Sequence, residues 1–398
     1  MNWVSIYVHI PFCKHRCGYC DFNTYAGLQQ LIPEYVQSVC EEISFLSNAS
    51  GDPLAIHTMY IGGGTPSILA ANELGKIIDT ANNRFYLSPS IEITLEANPG
   101  TVTEGYLKEI SAMGVNRVSL GMQSADEYEL SMLQRQHSHT DVIRAVECAR
   151  KAGIGNVSLD LIYGLPGQTI DSWRRSVGAA LVMQTEHLSL YALTLEHGTS
   201  MQHQVEIGML PEPDPDLAAD MYEVASEQLT AYGFVQYEIS NWARQDDAGE
   251  LYSCKHNLQY WRNLPYLGVG AGAHGFIASH RTVDVLTPGV YIKRMSGADV
   301  YGVSAKFPRT PATMQCHRID TVTEIGETMM MGLRLVSEGV SNQEFDHRFG
   351  MKLENRFSTQ IEQLIRYGLL EWVGAADDRL RLTKKGYLLG NQVFMEFI

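Results

Sequence analysis

The sequence has few basic residues and no long run of them. Lysine and arginine together number 30 among 398 residues, against 45 aspartates and glutamates, so the formal net charge is -15. A chain of this charge repels the phosphate backbone of a nucleic acid unless its basic residues are clustered locally. We therefore expect no nucleic-acid partner.

The chain also lacks the sequence marks of secretion and of membrane insertion. Its first residues, MNWVSIYVHIPF, show no basic region followed by a small-residue cleavage site. No uncharged apolar run reaches the roughly 18 residues needed to span a bilayer. Seven cysteines in so long a chain do not form a disulfide framework. We expect a cytoplasmic protein whose clustered thiols bind a metal or take part in catalysis.

Short apolar runs alternate with helical stretches over roughly residues 3–240. Six runs have the character of β-strands: WVSIYVHI, IHTMYIGG, IEITLEANP, RVSLGMQ, NVSLDLIYG and HLSLYALTLE. The segments 33–47, 67–82, 103–113, 139–152 and 169–183 have apolar residues at helical spacing. Strands that alternate with helices predict βα units around a parallel sheet. The expected fold class is α/β, with a partial (β/α)6 TIM-like barrel.

The rhythm changes beyond this region, and we divide the chain into three ranges. Residues 1–240 would form the barrel with its cysteine loop. Residues 241–300 would form an irregular layer that contains HNLQYW and a glycine-rich turn. In residues 301–398, a helical segment is followed by strand, turn, strand and helix, which predicts a smaller winged-helix-like α/β module. Because the chain is acidic, the usual association of such modules with DNA carries little weight here.

Three cysteines lie close together directly after the first predicted strand. Cys13, Cys17 and Cys20 have the spacing Cys-x3-Cys-x2-Cys. A zinc site would normally add a fourth Cys or His, and His15 would be a crowded choice. A redox motif needs only two cysteines. Three thiolates suit a [4Fe–4S] cluster, in which one iron is left for an exogenous ligand.

Polar groups gather at the predicted C-terminal ends of the strands, where a parallel βα barrel builds its active site. The second run ends in GGGTPS, the third in Glu96 and the fourth in Gln123. Arg135 follows in the next connection, and the fifth run contains Asp160. Each residue alone is equally compatible with a strand-end cap, but together they predict one polar rim. The glycines would let a ligand's amine and carboxylate approach the backbone, because no Cβ is in the way.

The cysteine loop, with Tyr19 just before Cys20, resembles the signature of the radical S-adenosylmethionine (SAM) superfamily. This resemblance implies a barrel of radical SAM type and a [4Fe–4S] cluster on Cys13, Cys17 and Cys20. It also implies a SAM whose amine and carboxylate bind the fourth iron. A radical SAM enzyme that modifies tRNA would need a basic surface, which the acidic composition disfavours. A zinc-binding structural protein would leave the polar rim unexplained.

The resemblance narrows when further segments are compared. The segments YVHIPFC, IGGGTPS, LEANPG, NRVSLGMQS, LDLIYGLPGQT and HNLQYW are similar to the oxygen-independent coproporphyrinogen III oxidase family, over nearly the whole chain. The oxidase branch has a further cysteine where this sequence has Phe22, and it has an extension before the first strand. HNLQYW, residues 256–261, is similar to the signature of the other branch, the haem chaperones (HemW). We therefore expect the haem-chaperone branch and keep the oxidase as the alternative.

The family also implies roles for the rim. The SAM on the cluster would contact Tyr7, Gly63 and Glu96. In the oxidase a second SAM lies nearby, and the positions that match its pocket are Tyr19, Gly64, Thr65, Gln123, Arg135 and Asp160. All of these are retained in type. Whether one or two SAM molecules bind stays open.

A haem chaperone would bind haem and pass it to an acceptor protein. The segment YSCKHNLQYW contains His, Cys and Tyr, which ligate haem iron, and aromatic rings that could shield the porphyrin. We take His256 as the axial ligand; the alternative is that it holds a loop by hydrogen bonds. A membrane respiratory enzyme as acceptor would bring the protein transiently to a membrane. The oligomeric state, monomer or dimer, stays open.

The alternative function is radical oxidative decarboxylation of a substrate's propionates in haem biosynthesis. In that reaction SAM cleavage would give a deoxyadenosyl radical, which abstracts a hydrogen from the propionate chain. Phe22 and the absent extension lead us to rank this activity second. Cleavage of SAM by the chain stays a separate, open question, and no catalytic residue is assigned.

The motif G-x-G-x-x-G occurs at Gly270, Gly272 and Gly275. A dinucleotide site needs a strand before this motif and a helix after it. Here a proline lies just before it, and the residues after it, FIASHRTVDV, have the character of a strand. We interpret the motif as a tight packing turn rather than an NAD site.

Overall fold

The computed structural model describes residues 3–297, 306–375 and 378–398. The chain divides into two compact units. Unit 1 comprises Met1–Tyr232 and Pro265–His317, and unit 2 comprises Gly233–Leu264 and Arg318–Ile398. Both units are therefore built from two separate stretches of the sequence.

The helices and strands are numbered along the chain. The strands are β1 (Trp3–Ile10), β2 (Phe12–Cys13), β3 (Tyr25–Ala26), β4 (Ala55–Gly63), β5 (Tyr86–Ala97), β6 (Arg117–Gln123), β7 (Asn156–Tyr163), β8 (His187–Ala192), β9 (Val235–Glu238), β10 (Asn241–Ala243), β11 (Tyr266–Val269), β12 (His274–Ile277), β13 (His280–Asp284), β14 (Thr313–Arg318), β15 (Val340–Ser341), β16 (Leu370–Val373) and β17 (Arg379–Leu382). The helices are α1 (Ile32–Ala49), α2 (Ala71–Arg84), α3 (Glu104–Ala112), α4 (Glu127–Met132), α5 (His139–Lys151), α6 (Ile170–Val182), α7 (Ser200–Glu206), α8 (Pro215–Ala231), α9 (Lys255–Trp261), α10 (Pro288–Ser296), α11 (Thr321–Gly332), α12 (Asn342–Phe349), α13 (Leu353–Arg366), α14 (Lys384–Leu388) and α15 (Gly390–Met395).

The six predicted strands form a continuous parallel run in unit 1, in the order β1-β4-β5-β6-β7-β8. A helix lies between each strand and the next, so the predicted βα repeat is confirmed. The helices start at clear signals. Ser138, for example, caps α5 by accepting from the Asp141 N–H, while the Asp141 carboxylate accepts from the Ser138 N–H. Parallel strands all end at one edge, which brings their following loops together.

One face of this parallel run is lined with buried polar side chains. Ser5 of β1 hydrogen-bonds Thr58 of β4 over 2.5 Å, and Ser158 of β7 bonds the ring of His187 on β8 over 2.8 Å. All four side chains are buried. Burial lowers the pKa of His187 well below its ordinary value, so this ring is neutral. These two pairs satisfy the rule that buried polar groups need hydrogen bonds.

Further strands extend the sheet of unit 1 on the side of β1, in the order β11, β12, β13 and β14. β11 is parallel to β1, while β12 and β13 form an antiparallel hairpin. The G-x-G-x-x-G motif lies between strands β11 and β12 and continues into β12. Because a strand and not a helix follows the glycines, this is a packing turn, as predicted, although a strand also precedes it.

A buried carboxylate on α1 fixes this turn by hydrogen bonds. Glu42 is fully buried and accepts hydrogen bonds from the Thr310 hydroxyl (2.6 Å), the Tyr291 hydroxyl (2.7 Å) and the Gly270 N–H (2.9 Å). The buried side chain of Asp284 also bonds to Glu42. Burial, and then the charge of Glu42, raise the pKa of Asp284 well above its ordinary value. Asp284 therefore keeps its proton and donates a hydrogen bond to Glu42.

Unit 2 contains a small three-stranded sheet in the order β15-β17-β16. After residue 318 its elements run α11, β15, α12, α13, β16, β17, α14 and α15, so the predicted succession of helix, strand, strand and helix occurs as α13, β16, β17 and α14. The core is apolar, and its largest members include Phe345, Phe357 and Phe394. Residues 376 and 377, between β16 and β17, lie outside the described residues.

The units divide the chain differently from the predicted ranges. Residues 233–264 belong to unit 2, and residues 265–317 return to unit 1 because β11 pairs with β1. The range 241–300, predicted as an irregular layer, carries β10 to β13, α9 and α10 among its described residues. The predicted boundary between residues 300 and 301 lies outside the described residues.

Within the described ranges, none of the helices combines the length and apolar character needed to cross a bilayer.

We predict opposite effects for two substitutions in the buried carboxyl pair. Asp284→Asn keeps a neutral donor toward Glu42 and removes a group whose folded-state pKa is raised. Such a group stabilises the fold fully below its unfolded pKa, about 3.9, and this contribution is lost as pH rises toward the folded pKa. The melting temperature of wild type should therefore fall relative to Asp284→Asn as pH increases from about 4.

Glu42→Gln is the contrasting variant. The carboxylate of Glu42 accepts from its donors with two oxygens, whereas the amide of glutamine has only one acceptor oxygen. We therefore expect the free energy of unfolding to fall by about 2 kcal/mol or more at neutral pH. Thermal denaturation across the pH range measures both effects. Equal destabilisation by the two variants would contradict a proton held on Asp284.

Candidate functional site

The cysteine loop is closed at its base by a pair of short strands. β2 and β3 pair in parallel, with Phe12 opposite Tyr25 and Cys13 opposite Ala26. The Tyr25 N–H also donates to the Pro11 carbonyl over 2.7 Å. The loop that carries all three cysteines therefore begins and ends at one point, directly after β1.

Two of the cysteine sulfurs face polar side chains from other strands. The Thr65 hydroxyl, after β4, lies 3.6 Å from the Cys13 sulfur. The Arg135 guanidinium, after α4, lies 3.6 Å from the Cys17 sulfur. Thr65 and Arg135 were both predicted from the sequence as rim residues. The fold thus brings them to the cysteine loop from positions 52 and 118 residues away.

The third cysteine has a local partner. The Cys20 sulfur lies 3.9 Å from the Thr24 hydroxyl. Burial raises the pKa of both Cys13 and Cys20, so without a metal these groups are held as thiols. A metal ligates the thiolate, so loading the site would release protons. All three cysteines are free of disulfides.

The glycine turn after β4 is locked onto the end of β1. The Gly64 N–H donates to the Ile10 carbonyl over 2.8 Å, and the Thr65 N–H donates to the Phe12 carbonyl over 2.9 Å. A Cβ on Gly64 would lie 2.7 Å from the Phe12 carbonyl oxygen. Only glycine permits this approach, which sets Thr65 beside Cys13.

Gly63 is required for a second reason. Its φ is 111°, and a Cβ there would lie 2.5 Å from the His9 ring. His9 itself is bonded on both sides: it donates from Nε2 to the Asn23 carbonyl over 3.0 Å and accepts at Nδ1 from the Tyr7 hydroxyl over 2.9 Å. Burial lowers the pKa of His9, which agrees with a neutral ring in this tautomer. His9 thus links the predicted residue Tyr7 to the end of the cysteine loop.

Glu96 joins the glycine turn to the next strand. Its carboxylate accepts from the Gly63 N–H over 2.9 Å and from the Tyr60 hydroxyl over 2.8 Å. The Tyr60 ring stacks on the ring of Tyr7, with centroids 6.2 Å apart. Burial raises the pKa of Glu96, and the nearby charge of Asp160 raises it further. Each carboxylate oxygen retains an unused lone pair for a ligand.

Gln123 and Arg135 converge on Gly121 at the end of β6. A Cβ on Gly121 would lie 2.7 Å from the Gln123 amide nitrogen and 3.1 Å from the Arg135 guanidinium. Arg135 also contacts Tyr19, and the Tyr19 and Cys17 side chains raise the pKa of Arg135 against the opposing effect of burial. Burial in turn raises the pKa of Tyr19. These predicted residues therefore form one polar group beside the cysteine loop.

Asp160 lies on β7, next to this group. It accepts from the Ser119 hydroxyl at 3.0 Å and from the Ser158 hydroxyl at 3.5 Å. Burial raises its pKa, while these hydroxyls and the nearby Arg117 oppose the shift. The carboxylate therefore belongs to both the polar layer of the sheet and the rim.

Sequence reasoning missed several residues of this site. His9, Tyr60 and Asn23 connect Tyr7, Glu96 and the cysteine loop, yet none was singled out from the sequence. The sequence contained a signal for His9 and Tyr60. His9 is two residues after Tyr7 on β1, and Tyr60 is two residues before Gly62 on β4, so His9 points to the same face of its strand as Tyr7, and Tyr60 to the same face as Gly62.

No three His, Cys, Asp or Glu side chains in the described ranges form a group that would hold a single metal ion. A cubane does not require such a group, because each cysteine binds a different iron.

His256 belongs to unit 2, on α9. Its side chain is 1% exposed. Its Nε2 lies 2.8 Å from the Tyr260 hydroxyl, and the two rings meet edge to face with centroids 4.9 Å apart. In this arrangement the ring holds α9 together, and an iron at Nε2 would have to displace Tyr260.

The chain matches two family models: the radical SAM superfamily over residues 7–179 and the HemN C-terminal domain over residues 323–389. A protein of Bacillus subtilis (strain 168) named heme chaperone HemW is 38% identical over 395 residues, which make up 99% of this chain and 99% of the relative. A HemW of Mycobacterium tuberculosis (strain ATCC 25618 / H37Rv) is also 38% identical, over 98% of this chain and 93% of the relative. The chain belongs to the HemW family of radical SAM proteins.

A mouse relative of this HemW-family chain, the mitochondrial radical S-adenosyl methionine domain-containing protein 1, is 36% identical over 92% of this chain and 81% of its own. The solved structure of coproporphyrinogen III oxidase (HemN) from Escherichia coli, a radical SAM enzyme, aligns with a TM-score of 0.81 and 21% identity. It covers 100% of this chain and 90% of the oxidase. At this identity the likeness shows the fold, and it confirms the predicted barrel of radical SAM type.

Radical SAM proteins bind a [4Fe–4S] cluster and SAM, and the residues of this HemW-family chain fit both groups. The cysteine loop would supply three soft ligands and would leave the fourth iron of a cubane open. The turn at Gly63 and Gly64 forms a cradle that any Cβ would fill. Among the described residues, the buried Nε of Arg135 has no hydrogen-bond partner, so it is available to a bound ligand.

We predict that Gly63→Ala destabilises this HemW-family chain more than an alanine at a position with positive φ does by itself. Gly153→Ala is the matched control, because Gly153 has a φ of 80° with no neighbouring atom within 4 Å of its Cβ position. The control should cost about 1 kcal/mol through the backbone alone. Gly63→Ala must also displace His9. A larger drop in melting temperature and weaker SAM binding are expected; equal effects of the two substitutions would contradict this role of Gly63.

Proposed function

We propose that this protein is a haem chaperone, which binds haem together with a SAM-coordinated [4Fe–4S] cluster and transfers the haem to an acceptor protein. The proposal rests on one observation above all: relatives named as heme chaperones match 98 to 99% of the chain at 38% identity. The cysteine loop and its polar surroundings support the cluster and SAM part of the proposal independently, because they fit both groups.

We assign the cluster to Cys13, Cys17 and Cys20. When bound, the cluster supplies an iron without a protein ligand, which can accept the amine and carboxylate of SAM. The hydroxyl of Thr65 at Cys13 and the guanidinium of Arg135 at Cys17 would donate to the thiolate sulfurs. Such donors stabilise the negative charge of the ligands and tune the reduction potential of a cluster.

Two sets of residues are assigned to SAM. Tyr7, Gly63 and Glu96 form the first, and they are already joined by direct contacts through Tyr60 and His9. The second consists of the predicted pocket residues Tyr19, Gly64, Thr65, Gln123, Arg135 and Asp160. In both sets, glycine gives access to the backbone while a carboxylate can hold the methionyl amine. The number of SAM molecules bound follows from the stoichiometry of binding to the reconstituted protein.

His256 remains our candidate for the axial ligand of haem iron. The family signature HNLQYW supports this assignment, but the ring is buried and engaged by Tyr260. Haem binding through Nε2 therefore requires the hydroxyl of Tyr260 to move away first. The exposed loop residue His15 is not engaged in this way and serves as the comparison.

We further propose that the acceptor is a respiratory haem enzyme and that the chain works in the cytoplasm, with transient visits to a membrane. The net charge of -15 opposes direct binding to anionic lipid, so the acceptor itself would provide the contact.

The alternative, oxygen-independent coproporphyrinogen III oxidase, has the support of the shared fold. Phe22 occupies the position where the resemblance places a further cysteine in oxidases, and its side chain is 63% exposed. The relatives of high identity carry the chaperone name. We therefore rank the oxidase second.

Anaerobic reconstitution followed by haem titration tests the function. We expect the wild-type protein to contain about four irons per chain, to bind haem stoichiometrically by absorbance, and not to consume coproporphyrinogen III. Cys17→Ser should lose the cluster while Cys316→Ser, on β14, retains it. Turnover of coproporphyrinogen III without haem binding would reverse the ranking of the two functions, and zinc in place of iron and sulfide would refute the cluster.

The haem ligand is tested by a pair of substitutions on α9. If Nε2 of His256 binds the iron, His256→Ala should weaken haem binding at least tenfold and change the Soret spectrum. Tyr260→Phe removes the competing hydroxyl and keeps the ring, so it should leave haem affinity unchanged or raise it. An unchanged spectrum in His256→Ala would exclude this residue, and His15→Ala would then be the next variant.

A further inference from the structure

The backbone at the end of β6 is strained at a residue of the proposed SAM pocket. Gln123 has a φ of 64°, which lies in the left-handed region that non-glycine residues rarely adopt. The Ser124 N–H donates to the Met122 carbonyl over 2.8 Å, so Gln123 is the centre of a three-residue turn. The β6–β7 register shifts at the same place. A turn of this kind persists only when its surroundings hold it.

The carbonyls on the N-terminal side of Gln123 are held by one short segment. Arg135 donates from its guanidinium to the Gly121 carbonyl over 3.1 Å. His137, two residues further on, donates from Nε2 to the Met122 carbonyl over 3.1 Å. Consecutive carbonyls of β6 therefore bind alternate residues of the segment 135–137.

The C-terminal side of Gln123 is held by a buried carboxylate. The Ser124 hydroxyl donates to Glu129 over 2.5 Å. Glu129 is 4% exposed and also accepts from the side chains of Gln168 and Ser172. These hydrogen bonds to Glu129 fix Ser124, the residue after the turn, but none of them involves the Met122 carbonyl.

The hydrogen bond to the Met122 carbonyl is the one side-chain hydrogen bond that His137 makes among the described residues. Its side chain is 4% exposed, and its Nδ1 has no partner among the described residues. Burial, and then the charge of Arg135, lower the pKa of His137 to about 4, so the ring is neutral and carries a single N–H at neutral pH. Because Nε2 faces a carbonyl, that hydrogen is on Nε2. The imidazole thus acts as a fixed donor.

We propose that His137 is a positioning residue for the SAM pocket: its hydrogen bond to the Met122 carbonyl holds Gln123 in the left-handed conformation, with the Gln123 amide beside the Arg135 guanidinium. The role goes beyond the assigned ligands and rests on the proposed SAM pocket. Without the bond, the turn relaxes toward an ordinary strand. The Gln123 amide then leaves the side of Gly121 that it shares with Arg135.

Three substitutions test the proposal on the full chain. His137→Ala removes the donor. His137→Gln restores it, because the glutamine amide nitrogen can occupy the place of Nε2. The shorter His137→Asn places its amide near the position of Nδ1 and cannot restore the bond. Val142→Ala, at a buried position of α5, is the control for lost stability without a change at β6.

The first measurement is amide hydrogen exchange at Ser124 in the protein without cofactors. We expect His137→Ala and His137→Asn to exchange at least tenfold faster than wild type, and His137→Gln and Val142→Ala to exchange like wild type. Wild-type exchange in His137→Ala would overturn the proposal. So would equal acceleration in Val142→Ala, because the effect would then be a general loss of stability.

The second measurement is the dissociation constant for SAM of the anaerobically reconstituted protein. It should rise roughly tenfold in His137→Ala and His137→Asn, because the buried Met122 carbonyl loses one of its two donors and keeps only the Ser124 N–H. His137→Gln should restore it, and Val142→Ala should leave it unchanged. Failure of wild type to bind SAM would refute the proposed pocket, while hydrogen exchange at Ser124 would still decide the role of His137. Unchanged SAM affinity in His137→Ala would overturn the positioning role.

Discussion

The candidate site depends on the attachment of the glycine turn after β4 to the end of β1. Two main-chain hydrogen bonds, from Gly64 to Ile10 and from Thr65 to Phe12, make this attachment. They form because β1 and β4 are parallel neighbours, so that both strands end at the same edge. The loop with the cysteines follows one strand and the cradle for a ligand follows the other. The three cysteines and the residues proposed to bind SAM thereby come to lie side by side.

A second feature is the polar interior of the sheet in unit 1. Ser5 and Thr58 form one buried hydrogen-bonded pair, Ser158 and His187 form another, and Ser119 bonds to Asp160 at the rim. A polar layer of this kind is stable only when its members are partnered, and it then specifies one arrangement. It supports the rim with defined hydrogen bonds rather than with apolar packing. The buried carboxylates of Glu42 and Glu129 also provide support through hydrogen bonds. Each lies on a helix and accepts from several donors, at least one of which belongs to a turn.

Much of the fold and part of the site could be predicted from the sequence. The six strands of the barrel, the helices between them and the winged-helix-like order of unit 2 follow from periods of two and 3.6 residues, which are local properties. The rim residues could be predicted because parallel strands end at one edge. The return of residues 265–317 to unit 1 could not, because β11 pairs with β1 across more than 250 residues of sequence. His256 is a second example. The sequence motif that contains it could be recognised, but its burial and its hydrogen bond to Tyr260 could not be predicted.

The sequence by itself determined the spacing of the cysteines, the secondary structure and the edge at which the reactive groups gather. All three are set by neighbouring residues through chain geometry. Only the tertiary structure decided which donor meets which acceptor: Thr65 at Cys13, Arg135 at Cys17, His137 at the Met122 carbonyl and Asp284 at Glu42. These pairs join residues far apart in the chain or on opposite sides of a loop. No local pattern encodes them, because a hydrogen bond in a low-dielectric interior depends on distances that exist only once the strands are packed.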